Sequence, residues 1–489
     1  MKKTKINKTV FLTGATGNMG WAGFQELYKR KNRFNITLLA RPSKKNRKLL
    51  APYADDPSVK IIWGDLLNYN DVLSGVTGAD FVLHVGGMVS PQADYYPEKT
   101  LEVNVKAAQN VVRAILEQPD KDNIKAVYIG SVAQCGDRLP PVHWGRTGDP
   151  VYASDYDKYS VSKCIAEKIF SDSGLKWWVS LRQSGILYPA IIKKMDPIMF
   201  HVPVRGVLEW ATIEDSGRLL ANVCEDTVPD GFWNRFYNIG SGPQYRLTNY
   251  EFEKRLLGAL GLDIEKVFEP QWFATRNFHG MWYLDSDRLE DYLHFRENLP
   301  VDEYFRRMVS KLPWYYSLAR LAPASLVRRF LKKLTEVKDL GSQYWIKHDP
   351  DRVKAYYGSL EEYRSIGSWP MIRPGRMEKD KERALESGEA VILNHGYDTS
   401  RPIYSLSEAE IEKAAVFRGG HFLGPETGIG KKGTVFEWEC EHGHRFTATL
   451  EYVLLGGGWC DVCDIDGIRS HVTSRNRFTW QVLSGQCLE

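Results

Sequence analysis

The stretch Thr13-Gly14-Ala15-Thr16-Gly17-Asn18-Met19-Gly20 limits this chain more than any other. It follows a β-branched apolar run, Thr9-Val10-Phe11-Leu12, and precedes a helical pattern from Trp21 to Arg30. Strand, glycine turn and helix together make a dinucleotide site. The first turn of a helix has N–H groups without partners at the positive end of its dipole. A pyrophosphate brings acceptors and negative charge to that end. Glycine lets it approach closely and tolerates positive φ. Gly14, Thr16, Gly17, Asn18, Met19 and Gly20 are therefore the candidate phosphate contacts.

The chain has 489 residues, enough for two or three domains. Charged residues make up 26% and hydrophobic ones 43%, the balance of a soluble globular protein. A net charge of +4 is small for this length and gives no reason to expect nucleic acid. Of seven cysteines, only Cys440, Cys460 and Cys463 group in a way that suggests shared chemistry. No signal peptide is recognisable, and no run approaches the roughly 18 apolar residues of a membrane span. A reducing cytoplasm is the expected compartment.

Up to about residue 300, short Val/Ile/Leu-rich runs alternate with helical patterns. The expected strands are Val10–Thr13, Ile36–Ala40, Lys60–Trp63, Phe81–Val85, Ala126–Gly130, Trp178–Leu181 and Phe236–Ile239. Repeated β-α units give a doubly wound parallel sheet of Rossmann type, with ligands at the carboxyl ends of its strands. The second strand exits into Arg41-Pro42-Ser43-Lys44, where an acidic residue would favour NAD. None is present, and Arg41, Ser43 and Lys44 suit a 2′-phosphate. NADP is therefore preferred, with NAD as the alternative. Asp65 and Leu66 stand where adenine would lie, although Asp65 reads equally as a helix cap. Gly86 ends the fourth strand and leaves room for cofactor.

Two segments carry chemistry. Ser131 ends the fifth strand, and Tyr159-Ser160-Val161-Ser162-Lys163 opens a helix. Four residues apart, Tyr159 and Lys163 share a helix face. An ammonium beside a phenol favours the phenolate and brings a pKa near 10 toward neutrality. Tyr159 is then the acid–base, Lys163 tunes it, and Ser131 orients a substrate oxygen. This order of glycine turn, serine, tyrosine and lysine resembles an extended short-chain dehydrogenase/reductase, the NAD-dependent epimerase/dehydratase family, over about residues 8 to 260. The resemblance implies that Ser131, Tyr159 and Lys163 are the catalytic triad. It adds Asn104 as the family's catalytic-region asparagine, Asp65 as its adenine contact and the segment 182–189, with Ser184, beside nicotinamide. It also implies a homodimer through two long helices. Two departures concern substrate: His84-Val85-Gly86-Gly87 stands at the family's usual Asn-Ala-Ala-Gly-like strand end, and the stretch from Pro189 to Thr212 is short, with Leu208-Glu209-Trp210 where sugar-nucleotide members tend to carry arginine. These departures rank a small or apolar carbonyl or alcohol above a sugar nucleotide.

The loop from Asp137 to Pro150 should lie beside the substrate, which makes His143, Trp144 and Arg146, with Tyr156 after it, the substrate candidates; each also reads as internal packing. Residues 301–367 form an aromatic, basic helical segment. Leu326, Val327, Phe330, Leu331 and Leu334 share one face there, expected to pack on the protein itself, with a membrane-surface helix as the alternative. This segment is expected to cover the substrate side. A linker, 368–401, separates the 1–300 catalytic domain and the helical segment from a module spanning 402–489. In that module Cys440, His444, Cys460 and Cys463 supply the four ligands of a structural zinc, with His442 competing. The pattern resembles a treble-clef zinc ribbon.

Three functions follow. The first is an NADP-dependent oxidoreductase acting on a small-molecule carbonyl or alcohol. The second is an NAD-dependent sugar-nucleotide epimerase or dehydratase. The third is a dinucleotide-sensing binding protein whose zinc module, with Lys431, Lys432 and Arg445, meets a partner or nucleic acid.

Overall fold

The computed structural model describes residues 7–193, 195–424, 431–468 and 474–487. All seven expected strands form: β1 (Lys8–Thr13), β2 (Phe34–Ala40), β3 (Val59–Trp63), β4 (Phe81–His84), β5 (Lys125–Ser131), β6 (Trp177–Gln183) and β7 (Arg235–Ile239). They make one sheet in the order β3-β2-β1-β4-β5-β6-β7, every pairing parallel. Val10, Leu12, Val82, Val127 and Leu181 are fully buried, as unalternated apolar strands between two helical layers require. The order reverses between β1 and β4. That switch point opens a crevice at the carboxyl ends, where Thr13 lies beside His84 and His84 beside Tyr128.

One face of the sheet carries α1 (Asn18–Tyr28). The other carries α2 (Pro97–Leu116) and α3 (Lys158–Ser171). α1 packs against α4 (Ile213–Asn222) at very short range. A Cβ on Gly23 would meet Leu220, and one on Gly217 would meet Ala22, so small residues set the spacing.

The C-terminal module is fused to the core under α3. Its short antiparallel sheet, His421–Phe422, Val435–Glu439 and Arg445–Thr449, places Trp438 and Phe446 in the same apolar core as Phe11, Phe170 and Trp178. Lys168 on α3 donates to the Thr447 carbonyl, and the Asp172 carboxylate accepts from Thr449 N at 3.0 Å. Pairing two copies through α3 would have to displace this module.

Two expectations are corrected. Residues 368–401 are no loose linker: Trp369, Ala384, Ala390 and Leu393 are buried, and the short helices Trp369–Ile372 and Lys381–Glu386 strap the body. The stripe on the basic helix is also split. The helical segment contains α5 (Val301–Ser310) and α6 (Ala324–Thr335). Leu331, with Val327 and Leu334, packs on Phe200, Phe268 and Trp272, while Leu326 and Phe330 are exposed. Leu326 and Phe330 lie about 100° around the helix from Val327 and Leu331, too far to share one contact.

Candidate active site and candidate metal centre

The glycine turn is built on backbone contact. Gly14 has φ +71°, and a Cβ there would lie 2.7 Å from Gly86 Cα. A Cβ on Gly20 would strike the Gly14 carbonyl at 2.2 Å. Thr13 Oγ1 accepts from Val85 N (3.1 Å) and Gly86 N (2.9 Å), binding the ends of β1 and β4 together. Gly17 caps α1 with no side-chain hydrogen bond, and the first turn holds no acidic residue, so the positive end of α1 is free to receive an anion. These residues fit a dinucleotide. Thr16, Gly17 and Asn18 line a cleft of about 660 Å³ with Trp21, Tyr188 and Lys311. Met19, in contrast, is buried. Leu66 lies against Gly86, and its carbonyl accepts from Asn110 (2.8 Å). Asp65 spends one carboxylate oxygen on Leu67 N (2.9 Å). Arg41, Ser43 and Lys44 are exposed, and Ser43 Oγ caps the next helix by accepting from Asn46 N (3.1 Å).

Ser131, Tyr159 and Lys163 come together at the end of β5. The Ser131 hydroxyl neighbours the Tyr159 phenol and accepts from Ala133 N at 3.2 Å. Lys163 Nζ lies 5.9 Å from the Tyr159 ring centre and donates to the Ile129 carbonyl at 2.8 Å. The electrostatics differ from expectation. Burial pushes Tyr159 up to about 12, against the opposing Ser131 hydroxyl, and Asp157 and Asp94 push it further. Burial lowers Lys163 to about 8, with Glu167 opposing. At rest, then, the phenol keeps its proton. Asn104 is not among the reacting groups. It accepts from Met88 N (2.8 Å) and donates to Met88 O (3.0 Å) and Ser162 Oγ (2.9 Å), tying the β4 exit to α3. Ser184 is buried and donates to the Glu209 carbonyl.

Residues 10–179 match the NAD dependent epimerase/dehydratase family. A UDP-glucose 4-epimerase from Rickettsia bellii is 30% identical over 113 residues, 22% of this chain and 33% of that protein. One from Rickettsia massiliae is 28% identical over 115 residues, 23% and 33% of the two chains. The alignments thus span about a third of these relatives. The fold is similar to that of a dTDP-glucose 4,6-dehydratase double mutant from Streptomyces venezuelae, solved with NAD bound. The TM-score is 0.51 and the identity 21%, covering 63% of this chain and 97% of that one.

The family match ends before the helical segment and the C-terminal module, which contribute to the loop between Ser131 and Tyr159. His143 and Trp144 are buried, with Trp144 against Trp282 at 5.4 Å between ring centres, so both are packing residues. Burial lowers His143 to about 4. Arg146 donates to the Leu393 carbonyl. Asp149 in the same loop bonds His395 at 2.8 Å, and Val151 N donates to the Gly457 carbonyl at 3.0 Å. Tyr156, with φ +65°, is exposed and lies under Arg352. Sequence reasoning missed Asp94, Asp157 and His279. Asp157 Oδ2 lies 3.3 Å from His279 Nδ1, and burial, with Asp157 adding, pushes Asp94 up to about 6. Asp157 was findable: an aspartate two residues before Tyr159 is the cap of α3 and accepts from Ser160 N. The missed pair Arg182–Glu167 is buried and bidentate (2.6 and 3.0 Å), and Arg182 also donates to the Gly456 carbonyl at 2.6 Å. Arg182 therefore faces the C-terminal module.

In that module the ligand atoms of Cys440, His444, Cys460 and Cys463 all lie within 4.8 Å of one another. Cys440 and Cys463 Sγ are 3.8 Å apart, and His444 Nδ1 is 3.3 Å from Cys463 Sγ and 3.8 Å from Cys460 Sγ. A tetrahedral zinc with Zn–S near 2.3 Å has S–S edges of about 3.8 Å, so the set fits the ion. His442, the competing ligand, is partly exposed beside Glu441.

Proposed function

We propose that the chain is a nicotinamide-dependent enzyme that oxidises and re-reduces a sugar-nucleotide substrate, in the manner of an epimerase or dehydratase. The carrying observation is the grouping of Tyr159, Lys163 and Ser131 at a strand end two strand spacings, about 10 Å, from β1 and its open helix terminus. The names of the relatives support this reading over a small carbonyl substrate. A dinucleotide bound at α1 would supply hydride acceptance and return. Ser131 would orient the substrate oxygen. Oxidation comes first, so Tyr159, protonated at rest, would release that proton to solvent, take the proton of the substrate hydroxyl as its carbon gives up hydride, and return the proton to the carbonyl oxygen when hydride comes back. In the taking direction its phenolate would be favoured by Lys163 and the Ser131 hydroxyl. Cys440, His444, Cys460 and Cys463 would hold a structural zinc, with all four positions filled by protein.

The test is incubation with NAD and UDP-glucose or dTDP-glucose, with products resolved by NMR. Sugar conversion without net cofactor change supports the proposal. Inert sugar nucleotides with stoichiometric NADPH consumption on simple carbonyls would support the second reading, an NADP-dependent oxidoreductase. The second reading is favoured by the exposed Arg41 and Lys44 and the lack of an acid at the β2 exit.

A further inference from the structure

Between Glu303 and Glu336 the chain carries eight lysines and arginines and no acidic residue. Six large apolar side chains in the same segment are exposed. Trp314 is 76% exposed, Leu321 72%, Phe330 60% and Leu326 58%, with Tyr315 and Leu318 between them. Isolated exposed apolar residues are ordinary, but a run of this kind marks a contact surface.

α6 shows that the fold does not need this surface. Val327, Leu331 and Leu334 already anchor the helix to Phe200, Phe268 and Trp272. Leu326, Arg329, Phe330 and Lys333 are spaced i, i+3, i+4 and i+7, so they form a second stripe on one face. All four are exposed. An apolar pair flanked by cations on the same face suits a boundary between acyl chains and phosphates, and exposed Trp and Tyr beside it suit the headgroup level. Within residues 314–333, Arg328 and Lys332 are paired with Glu269 and Glu336, which leaves Arg320, Arg329 and Lys333 as the outward charges; a second copy of this chain docked on the same face is the poorer occupant, because it would set those charges against themselves.

We propose that residues 314–333 form a peripheral docking surface for an anionic phospholipid bilayer. Trp314, Leu321, Leu326 and Phe330 enter the headgroup–acyl boundary, and Arg329 and Lys333 lie over the lipid phosphates. The inference does not depend on the proposed reaction.

The test is co-sedimentation of the full chain with vesicles of phosphatidylcholine alone or with roughly a third phosphatidylserine. The chain should pellet with the anionic vesicles and be released by molar salt. Arg329→Glu with Lys333→Glu should cut partition about tenfold or more, with melting unchanged because both side chains are exposed. Leu321→Ser with Phe330→Ser should do the same at constant charge. Equal partition onto neutral vesicles, or onto neither, would overturn the proposal. So would unaltered partition of the charge-reversed protein, or a dimer in sedimentation velocity that these substitutions dissociate, which would assign the patch to a second copy.

Discussion

The two candidate centres differ in where their polar groups point. At the Cys/His centre four side chains turn on one another, with ligand atoms 3.3 to 3.8 Å apart along the closest edges. At the sheet's carboxyl edge the groups are held from behind, Ser131 by Ala133 N and Lys163 by the Ile129 carbonyl, beside a helix terminus whose cap residue, Gly17, makes no side-chain hydrogen bond. A closed set has no position left for a reactant, so its contribution is rigidity. An open set has to be braced by something else. Here the two meet, because the module that carries the closed centre bonds the loop and strand around the open one through Gly457–Val151 and Gly456–Arg182, and the segment just before it does so through His395–Asp149.

The largest effect should come from opening the closed set. Cys460→Ser removes one ligand, and structural zinc supplies about 10–16 kcal/mol of folding free energy in small modules. Metal analysis should show one zinc per chain in the parent and loss in the variant, with a lower melting temperature. If the module braces the catalytic loop, limited proteolysis should then also open within residues 137–157. A variant that loses zinc while that loop keeps its protection would separate the two centres.

The next effect belongs to the open set alone. Tyr159→Phe deletes only the phenolic hydroxyl that Ser131 neighbours, and turnover should fall about 10²–10⁴-fold with dinucleotide affinity retained. Zinc content should not change. Glu167→Gln tests the link between the regions. The buried Arg182 guanidinium would lose its carboxylate, which costs about 3–5 kcal/mol when one partner of a buried pair is removed. Denaturant unfolding measures it, and a loss well under 1 kcal/mol would mean that Gly456 alone satisfies Arg182.

The legibility of the two regions follows the same contrast. The seven strands were readable because each is an unalternated apolar run. The glycine turn, the Tyr-x-x-x-Lys spacing and the Cys-x-x-Cys knuckle were readable because local geometry fixes them within a few residues. Contacts between distant segments were not. Nothing in the local sequence around Asp149 announces His395, 246 residues away. The charged stretch Glu378–Arg383 reads as linker, yet Glu378 is buried against Arg205, and Lys381 reaches the Arg246 carbonyl. The Lys163 effect on Tyr159 was misjudged for a related reason. Spacing puts the two on one face, but burial, which depends on everything packed around them, outweighs the proximity.

That burial makes a prediction of its own. Lys163 has a folded pKa of about 8 against an ordinary 10.5. Between those values the unfolded chain holds more protons than the folded one, so its contribution raises stability as pH climbs through this window. At pH 7 the penalty is complete, about 3 kcal/mol from the shift, against about 1 kcal/mol for the hydrogen bond to Ile129. Lys163→Met should therefore abolish turnover yet stabilise the fold by about 2 kcal/mol at pH 7. The gain should shrink above about pH 8 and reverse sign before about pH 10.5, where little of the penalty remains and the lost hydrogen bond dominates. A variant less stable than its parent at every pH would show that the ammonium is a structural donor rather than a strained functional group.

The smallest expected effect addresses which dinucleotide the open set takes. Arg41 and Lys44 are exposed, and Ser43 is engaged as a helix cap, so any 2′-phosphate would be met mainly by the two cations in water. Charge-assisted bonds of this kind are worth about 1.5–3 kcal/mol at best, and exposure puts this one at the low end. Arg41→Ala should weaken NADP about tenfold and leave NAD unchanged. The ratio of the two dissociation constants, rather than either alone, is the useful readout, because a general loosening of the β2 exit would move both. An unchanged ratio would mean that the basic loop is solvated surface.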